Sequence, residues 1–333
     1  MKLNSPQNYP SLSIVIPAMN AEKTIRRCIV SVLQQEYPKE FDITIAIGPS
    51  KDRTMEILRE LASKESRIQI IDNPAGRTPT ALNLAIAAST GEVIARVDAQ
   101  SKLPPNYLQE AVSTLMKVGA ANVGGIQLPI ADNDTQRIIA LAMRSPFGAG
   151  PADFRGHGEE GPTDTVYLGT FNRKILESVG GFDESLIRNQ DYELNWRLRQ
   201  AGHLVWFTPK LKVEYEPRST LKQLASQYSQ YGSWKRRMLI ENPRSTKFRH
   251  LVAPLLVLGL LGSIATVCLG QLFGLVIPVC YLTALIVISL FISDEQHLTP
   301  ADRIRLILAF MTMHISWGNG FLILPTNKSS KSQ

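Results

Sequence analysis

Hydrophobic and polar positions along the chain switch between two periods. Short β-branched runs at 12–16, 41–47, 67–71 and 93–97 predict strands. After each of the first three comes a stretch with apolar residues three and four apart, predicting helices at 21–35, 52–63 and 80–88. In the first helix Ile25, Ile29, Val32 and Leu33 make the buried face, with Asn20 as the expected N-cap. Strand and helix alternate, which predicts an α/β domain with a mostly parallel sheet and helices on both faces. No G-x-G-x-x-G follows the first strand, so a nucleotide-binding half that does not use NAD is expected.

Further along the pattern is less regular. A helix is predicted at 104–117, a strand at 122–129 interrupted by Gly124-Gly125, and a Gly- and Pro-rich loop over the site at 145–162. A strand at 165–171, a helix at 173–179, a helix at 192–202 and a strand at 203–208 follow. The helix predicted at 219–241 carries Tyr228, Tyr231, Trp234 and Met238 at spacings of three and four. Such a stripe is commonly core. Interleaved with Lys235, Arg236 and Arg237 ahead of two apolar runs, it predicts an in-plane helix at a membrane surface. Residues 251–270 and 271–292 carry no charge, and each is long enough for a hydrocarbon core of about 30 Å. Residues 306–324 are apolar but include His314, Trp317 and Asn319, which leaves a third span, a re-entrant segment and a surface-lying segment open. The expected organisation is a catalytic domain at 1–218, a basic interfacial segment at 219–250, a membrane region at 251–325 and a polar tail at 326–333.

Charge sharpens this picture. Of the net +7 on 333 residues, most lies between 235 and 250, where six basic side chains meet one acid, Glu241. Basic residues beside apolar spans mark the cytoplasmic side and favour anionic lipid, so membrane lipids rather than nucleic acid are the expected partner. Cys28, Cys268 and Cys280 have neither metal-ligand nor disulfide spacing. The N-terminus shows no secretory leader pattern. A multi-pass plasma-membrane protein with its catalytic domain in the cytoplasm is expected.

Two carboxylates are the candidate chemistry. Asp98 ends the fourth strand, where ligands of open α/β sheets bind, and Gln100 offers a second oxygen two residues on. That pair suits Mg²⁺ or Mn²⁺ shared with phosphate oxygens. Asp191 lies in a polar turn at the start of a helix, whose positive end is expected to keep it ionised as a general base toward an alcohol. Both aspartates could equally serve as helix caps. Together they suit attack by a hydroxyl on the anomeric carbon of a nucleotide sugar.

At this point the residues carry a resemblance. Ser13-Ile14-Val15-Ile16-Pro17-Ala18-Met19-Asn20-Ala21-Glu22 resembles the opening of glycosyltransferase family 2, the inverting GT-A-fold enzymes. Val97-Asp98-Ala99-Gln100 matches the place of that family's DxD element, and Gln190-Asp191 that of its catalytic pair. Across Asn122-Val123-Gly124-Gly125, Asn189-Gln190-Asp191 and 227–235, the chain resembles the ExoA-like, succinoglycan-type membrane enzymes. The resemblance implies a Rossmann-like GT-A domain, a nucleotide-sugar donor (usually UDP-linked), a divalent metal and an acceptor that is often a polyprenyl-phosphate-linked or envelope glycan. By position it implies that Pro17, Ala18, Asn20, Glu22 and Asp52 border the nucleoside, that Gly76 and Arg77 approach the ribose or diphosphate, and that Asp98 and Gln100 hold metal. It makes Asp191 the base, and places Gln190, Gln227, Tyr231, Trp234 and Arg236 near the acceptor. The family's QxxRW element has no clean copy here, and the chain departs from the pattern in three further places. Gly48-Pro49 replaces an acidic pair, Gln100 replaces an Asp or His, and Gln190 replaces a Glu. A processive polysaccharide synthase, a non-catalytic nucleotide-sugar-binding scaffold and a nucleotidyltransferase are the competing readings.

Overall fold

The computed structural model describes residues 9–131, 133–150, 153–155, 158–293 and 297–323; the expected tail at 326–333 lies outside them. The chain forms β1 (Leu12–Ala18), α1 (Ile25–Leu33), β2 (Phe41–Ile47), α2 (Thr54–Lys64), β3 (Ile68–Asp72), α3 (Thr78–Ala88), β4 (Val93–Arg96) and α4 (Tyr107–Val118). There follow β5 (Asn122–Pro129), α5 (Asp134–Arg144), α6 (Pro146–Ala149), β6 (Gly161–Pro162), β7 (Tyr167–Asn172), α7 (Arg173–Ser178), α8 (Gln190–Gln200) and β8 (Val205–Tyr215). The remainder is helical: α9 (Leu221–Glu241), α10 (Val252–Cys268), α11 (Val276–Phe291) and α12 (Pro300–Leu322).

Two compact units result. The residues through Leu128 and the segment ending at Glu216 form the first; the segment opening at Pro129 and the chain from Pro217 onward form the second.

In the first unit the strands make one sheet in the order β3-β2-β1-β4-β7-β5-β8-β6. β1, β2, β3 and β4 are parallel, as their alternation with helices requires. β7 enters antiparallel between β4 and β5. Side-chain parity sorts the core into two layers. Ile14, Ile16, Val93, Ala95 and Val97 face Ile25 and Ile29 of α1, Leu58 of α2 and Leu108 of α4. Val15 and Ile94 face Leu82 of α3, Leu176 of α7 and Leu194 of α8. Helices therefore cover both faces.

Several boundaries differ from expectation for local reasons. α1 starts at Ile25, because Asn20 adopts φ 49° and Ala21 opens a tight turn that accepts from Thr24 and Ile25. Asn20 is thus a turn residue and not a cap. β8 runs on through Pro209 to Tyr215; β6 pairs only with Trp206 and Phe207, so Pro209 interrupts no bond to it. The stretch 145–162, expected as a loop, includes α6, a 3₁₀ turn at Asp153–Arg155 and β6. The amphipathic α5 was not anticipated.

β5 carries the expected interruption: its register against β7 shifts between Val123 and Gly125. A Cβ on Gly125 would come within 2.0 Å of the Leu211 carbonyl oxygen. Gly125→Val is therefore expected to destabilise the first unit by about 3 kcal/mol through overpacking, read as a lowered thermal midpoint.

In the second unit α9 packs on α12, which also meets α5 and α10. Tyr228, Trp234 and Met238 are buried there, together with Leu306, Ala309, Phe310 and Met313 of α12. Three of the four stripe residues are thus core of this unit, and Tyr231 is half-buried. Among the described residues one helical stretch, Leu272–Phe291, is long and apolar enough to cross a membrane. The other expected span is shorter, because Gly270 at φ 79° ends α10. Its 17 residues reach about 25 Å.

Candidate active site

The sheet's carboxyl edge is where β1, β2, β3 and β4 deliver their loops. After β1 and β2 the two loops are bound to each other. Asn20 N donates to Ser50 Oγ (3.0 Å), Lys51 N to Asn20 Oδ1 (2.8 Å), Ala21 N to Thr54 Oγ1 (2.7 Å) and Arg53 N to Glu22 Oε2 (3.1 Å). Asp52 closes the lattice: Oδ2 accepts from Glu22 N (3.1 Å), and Oδ1 from Thr54 N (3.1 Å) and the Thr54 hydroxyl (2.5 Å). Burial opposes ionisation of Asp52, but these donors outweigh it and hold the carboxyl below its usual range. Asn20, Glu22 and Asp52 thus build the rim on which Pro17, Ala18 and the exposed Met19 sit. Gly76, at φ 62°, follows β3; a Cβ on Gly48 would lie 3.3 Å from the Gly76 Cα and 3.1 Å from Met19 Sδ. Gly48-Pro49 therefore lets two loops meet closely where a larger side chain would wedge them apart. Arg77 follows as the extended residue that opens α3.

β4 supplies the centre. Residues two apart on a strand share a face, so Arg96 and Asp98 point the same way as Ile94, toward α8. The Arg96 guanidinium, buried at 5% exposure, holds Asp98 Oδ1 at 3.0 Å from Nε and 2.9 Å from Nη2. Its Nη1 bonds Asp191 Oδ1 in the first turn of α8. The Phe182 ring lies 5.9 Å from the guanidinium. Burial disfavours the Arg96 charge, yet the carboxylates of Asp191 and Asp98 more than offset it and raise the guanidinium further.

The surroundings of Asp191 act on its carboxyl in opposite directions. Although 41% of its side chain faces solvent, crowding by protein is the largest influence on the carboxyl and pushes it above its usual range. Arg96 opposes that rise and Asp98 adds to it. Arg96 therefore favours the ionised form, while burial and Asp98 work against it. Gln190, beside it, is buried.

Asp98 itself sits in a tight turn: its carbonyl accepts from Ser101 N (2.8 Å) and from Cys28 Sγ (3.4 Å). Burial, reinforced by the Asp98 charge, pushes the Cys28 thiol up to about 12. Cys28 is therefore expected to resist iodoacetamide at pH 8 in the folded protein, checked by peptide mass spectrometry. Tyr167 lies under the same turn and is raised well above the usual phenol value by burial and by Asp98.

The donor set can be tested against a divalent metal. Asp98 and the exposed Gln100 offer oxygens alone, and no group of three metal-ligating side chains occurs among the described residues. This fits a hard cation shared with substrate phosphates and not an all-protein cage. The remaining candidates lie on α9 in the other unit. Gln227 Nε2 donates to the Tyr231 hydroxyl (2.8 Å), Trp234 carries Arg237 on its ring (5.3 Å), and Arg236 donates to the Phe321 carbonyl of α12 (3.4 Å).

Against known families, residues 13–180 match the model described as Glycosyl transferase family 2. The chain belongs to that family. This glycosyltransferase is 29% identical over 321 residues to the succinoglycan biosynthesis protein ExoA of Rhizobium meliloti (strain 1021), covering 92% of this chain and 93% of the relative. It is 29% identical over 238 residues to the dolichyl N-acetyl-alpha-D-glucosaminyl phosphate 3-beta-D-2,3-diacetamido-2,3-dideoxy-beta-D-glucuronosyltransferase of Methanococcus voltae, covering 68% of this chain and 74% of the relative. Its fold is that of the mannosyltransferase PcManGT from Pyrobaculum calidifontis, solved with GDP-Man and Mn²⁺, with a TM-score of 0.64 and 16% identity over 93% of this chain and 88% of that one.

Sequence reasoning missed Arg96. A signal was present: Arg-x-Asp at the end of a strand whose other residues are apolar puts a cation and a carboxylate on one buried face.

Proposed function

We propose that this family 2 glycosyltransferase inverts the anomeric centre of a UDP-linked sugar as it transfers that sugar to a lipid-linked or cell-envelope glycan. The observation that carries the reading is the fastening of Asp98 and Asp191 to one buried guanidinium at the carboxyl edge of the sheet. Asp191 takes the proton of the acceptor hydroxyl while that oxygen bonds to the anomeric carbon. The bond from that carbon to the diphosphate oxygen breaks on the opposite face, and the nucleoside diphosphate leaves with the bonding pair. Asp98, with Gln100, would hold Mg²⁺ or Mn²⁺, which supplies positive charge to offset the departing diphosphate. Pro17, Ala18, Asn20, Glu22, Asp52, Gly76 and Arg77 shape the nucleoside side. Gln190, beside Asp191, serves the acceptor.

The relatives' names, one for succinoglycan biosynthesis and one for a dolichyl-linked sugar phosphate, support a lipid-linked acceptor. The exposed apolar surfaces of α10 and α11, next to the basic stretch at 235–249, support anchoring in the plasma membrane by more than one pass with the catalytic unit in the cytoplasm.

The test is nucleoside-diphosphate release by the detergent-purified chain from UDP-, GDP- and dTDP-sugars with Mg²⁺ or Mn²⁺ and membrane lipid extract. Release from a UDP-sugar that requires the extract is the expected result. Release from a GDP- or dTDP-sugar alone overturns the donor assignment, and release without extract overturns the lipid-linked acceptor.

A further inference from the structure

We propose that Arg96 is the built-in counter-cation of this site, a positioning residue that aligns Asp98 with Asp191 and thereby weakens the hold of Asp98 on a divalent ion. The inference rests on the transferase reading and deepens it.

The guanidinium is fixed from several sides. Strand β4 sets its backbone, with Arg96 registered against Val15 of β1. Phe182, itself buried and packed edge-on against Phe171, lies beside the guanidinium. Asp98 and Asp191 take its nitrogens. A planar fork can hold two carboxylates in fixed relative positions, which an ammonium cannot do. Two carboxylates and one guanidinium leave a local charge of about −1, so a divalent ion meets a site already half neutralised. It also meets Asp98 Oδ1 already taking a hydrogen bond from Arg96 Nε and an ion-pair contact with Nη2. Metal affinity and carboxylate alignment are therefore set by one residue and respond oppositely to its removal.

The experiment titrates Mn²⁺ alone into the full-length, detergent-purified chain, following free Mn²⁺ by electron paramagnetic resonance, and measures kcat in parallel. In Arg96→Gln, Mn²⁺ is expected to bind at least about tenfold more tightly while kcat falls about a hundredfold, because the local charge becomes about −2 and Asp191 loses its tether. A residue that merely supports the fold would lower both together with the thermal midpoint. Arg96→Lys keeps the charge without the fork. It is expected to bind Mn²⁺ within about threefold of wild type, with kcat down about tenfold.

Mn²⁺ binding that is no tighter in folded Arg96→Gln, including binding undetectable in both proteins, overturns the proposal. If Arg96→Gln does not fold, Arg96→Lys carries the test, and wild-type kcat in that variant overturns the positioning role. The two readings separate cleanly. Loss of turnover in Asp191→Asn without the Mn²⁺ gain in Arg96→Gln keeps the transferase mechanism and removes Arg96 from it. The Mn²⁺ gain with unchanged turnover in Asp191→Asn keeps the counter-cation and removes the base.

Discussion

Asp191→Asn is expected to lower kcat about a thousandfold while the donor KM stays within about threefold. The amide is isosteric and its oxygen still accepts from Arg96 Nη1, so the site keeps its shape and loses only a proton acceptor. The environment of Asp191 suits such a base: crowding raises its carboxyl above the usual range, which makes its carboxylate a stronger base toward an acceptor hydroxyl. The sign follows. A base works in its ionised form, so wild-type turnover falls as pH drops through the Asp191 pKa, at a higher pH than an ordinary carboxylate would give. The residual turnover of Asp191→Asn lacks that limb. A pH–rate profile of both proteins checks this, and more than a tenth of wild-type kcat in the variant would remove Asp191 from the chemistry.

The second large effect is expected at Asp98. Asp98→Asn should lower kcat/KM by two to three orders of magnitude, about 3–4 kcal/mol in the transition state, and shift half-maximal activity to higher Mg²⁺ or Mn²⁺. The neutral oxygen remains a ligand but no longer contributes charge, and Gln100 is already neutral. The substitution also leaves Arg96 with Asp191 as its one carboxylate partner, since Asp98 and Asp191 are the two it bridges. Asp98→Asn and Arg96→Gln should thus move Mn²⁺ affinity in opposite directions. Metal titrations of nucleoside-diphosphate release measure the first, and a wild-type metal profile in Asp98→Asn would mean that Asp98 is only a turn residue.

Much of this was legible in the chain itself. A strand and a helix each bury apolar positions at a fixed period, so β1 to β4 and their helices could be read locally and their parallel pairing inferred. Asp98 and Asp191 stood out as candidates because carboxylates at a strand end and a helix start are chemistry that the local pattern exposes. Other features depend on residues far apart. Asn20 looked like a cap, and became a left-handed turn because Ser50 and Lys51 bind it across the neighbouring loop. Tyr228, Trp234 and Met238 of the α9 stripe are buried because α12, some eighty residues on, packs over them. α10 looked long enough to span, and stops where Gly270 turns left-handed.

The sequence by itself determined the α/β architecture and the family and marked two candidate carboxylates, because each follows from short-range periodicity or from contiguous motifs. Only the tertiary structure decided that these carboxylates share one cation. Asp98 and Asp191 stand ninety-three positions apart in the sequence, and what joins them is the parity of β4, the entry of α8 onto that same face, and the buried guanidinium that reaches both.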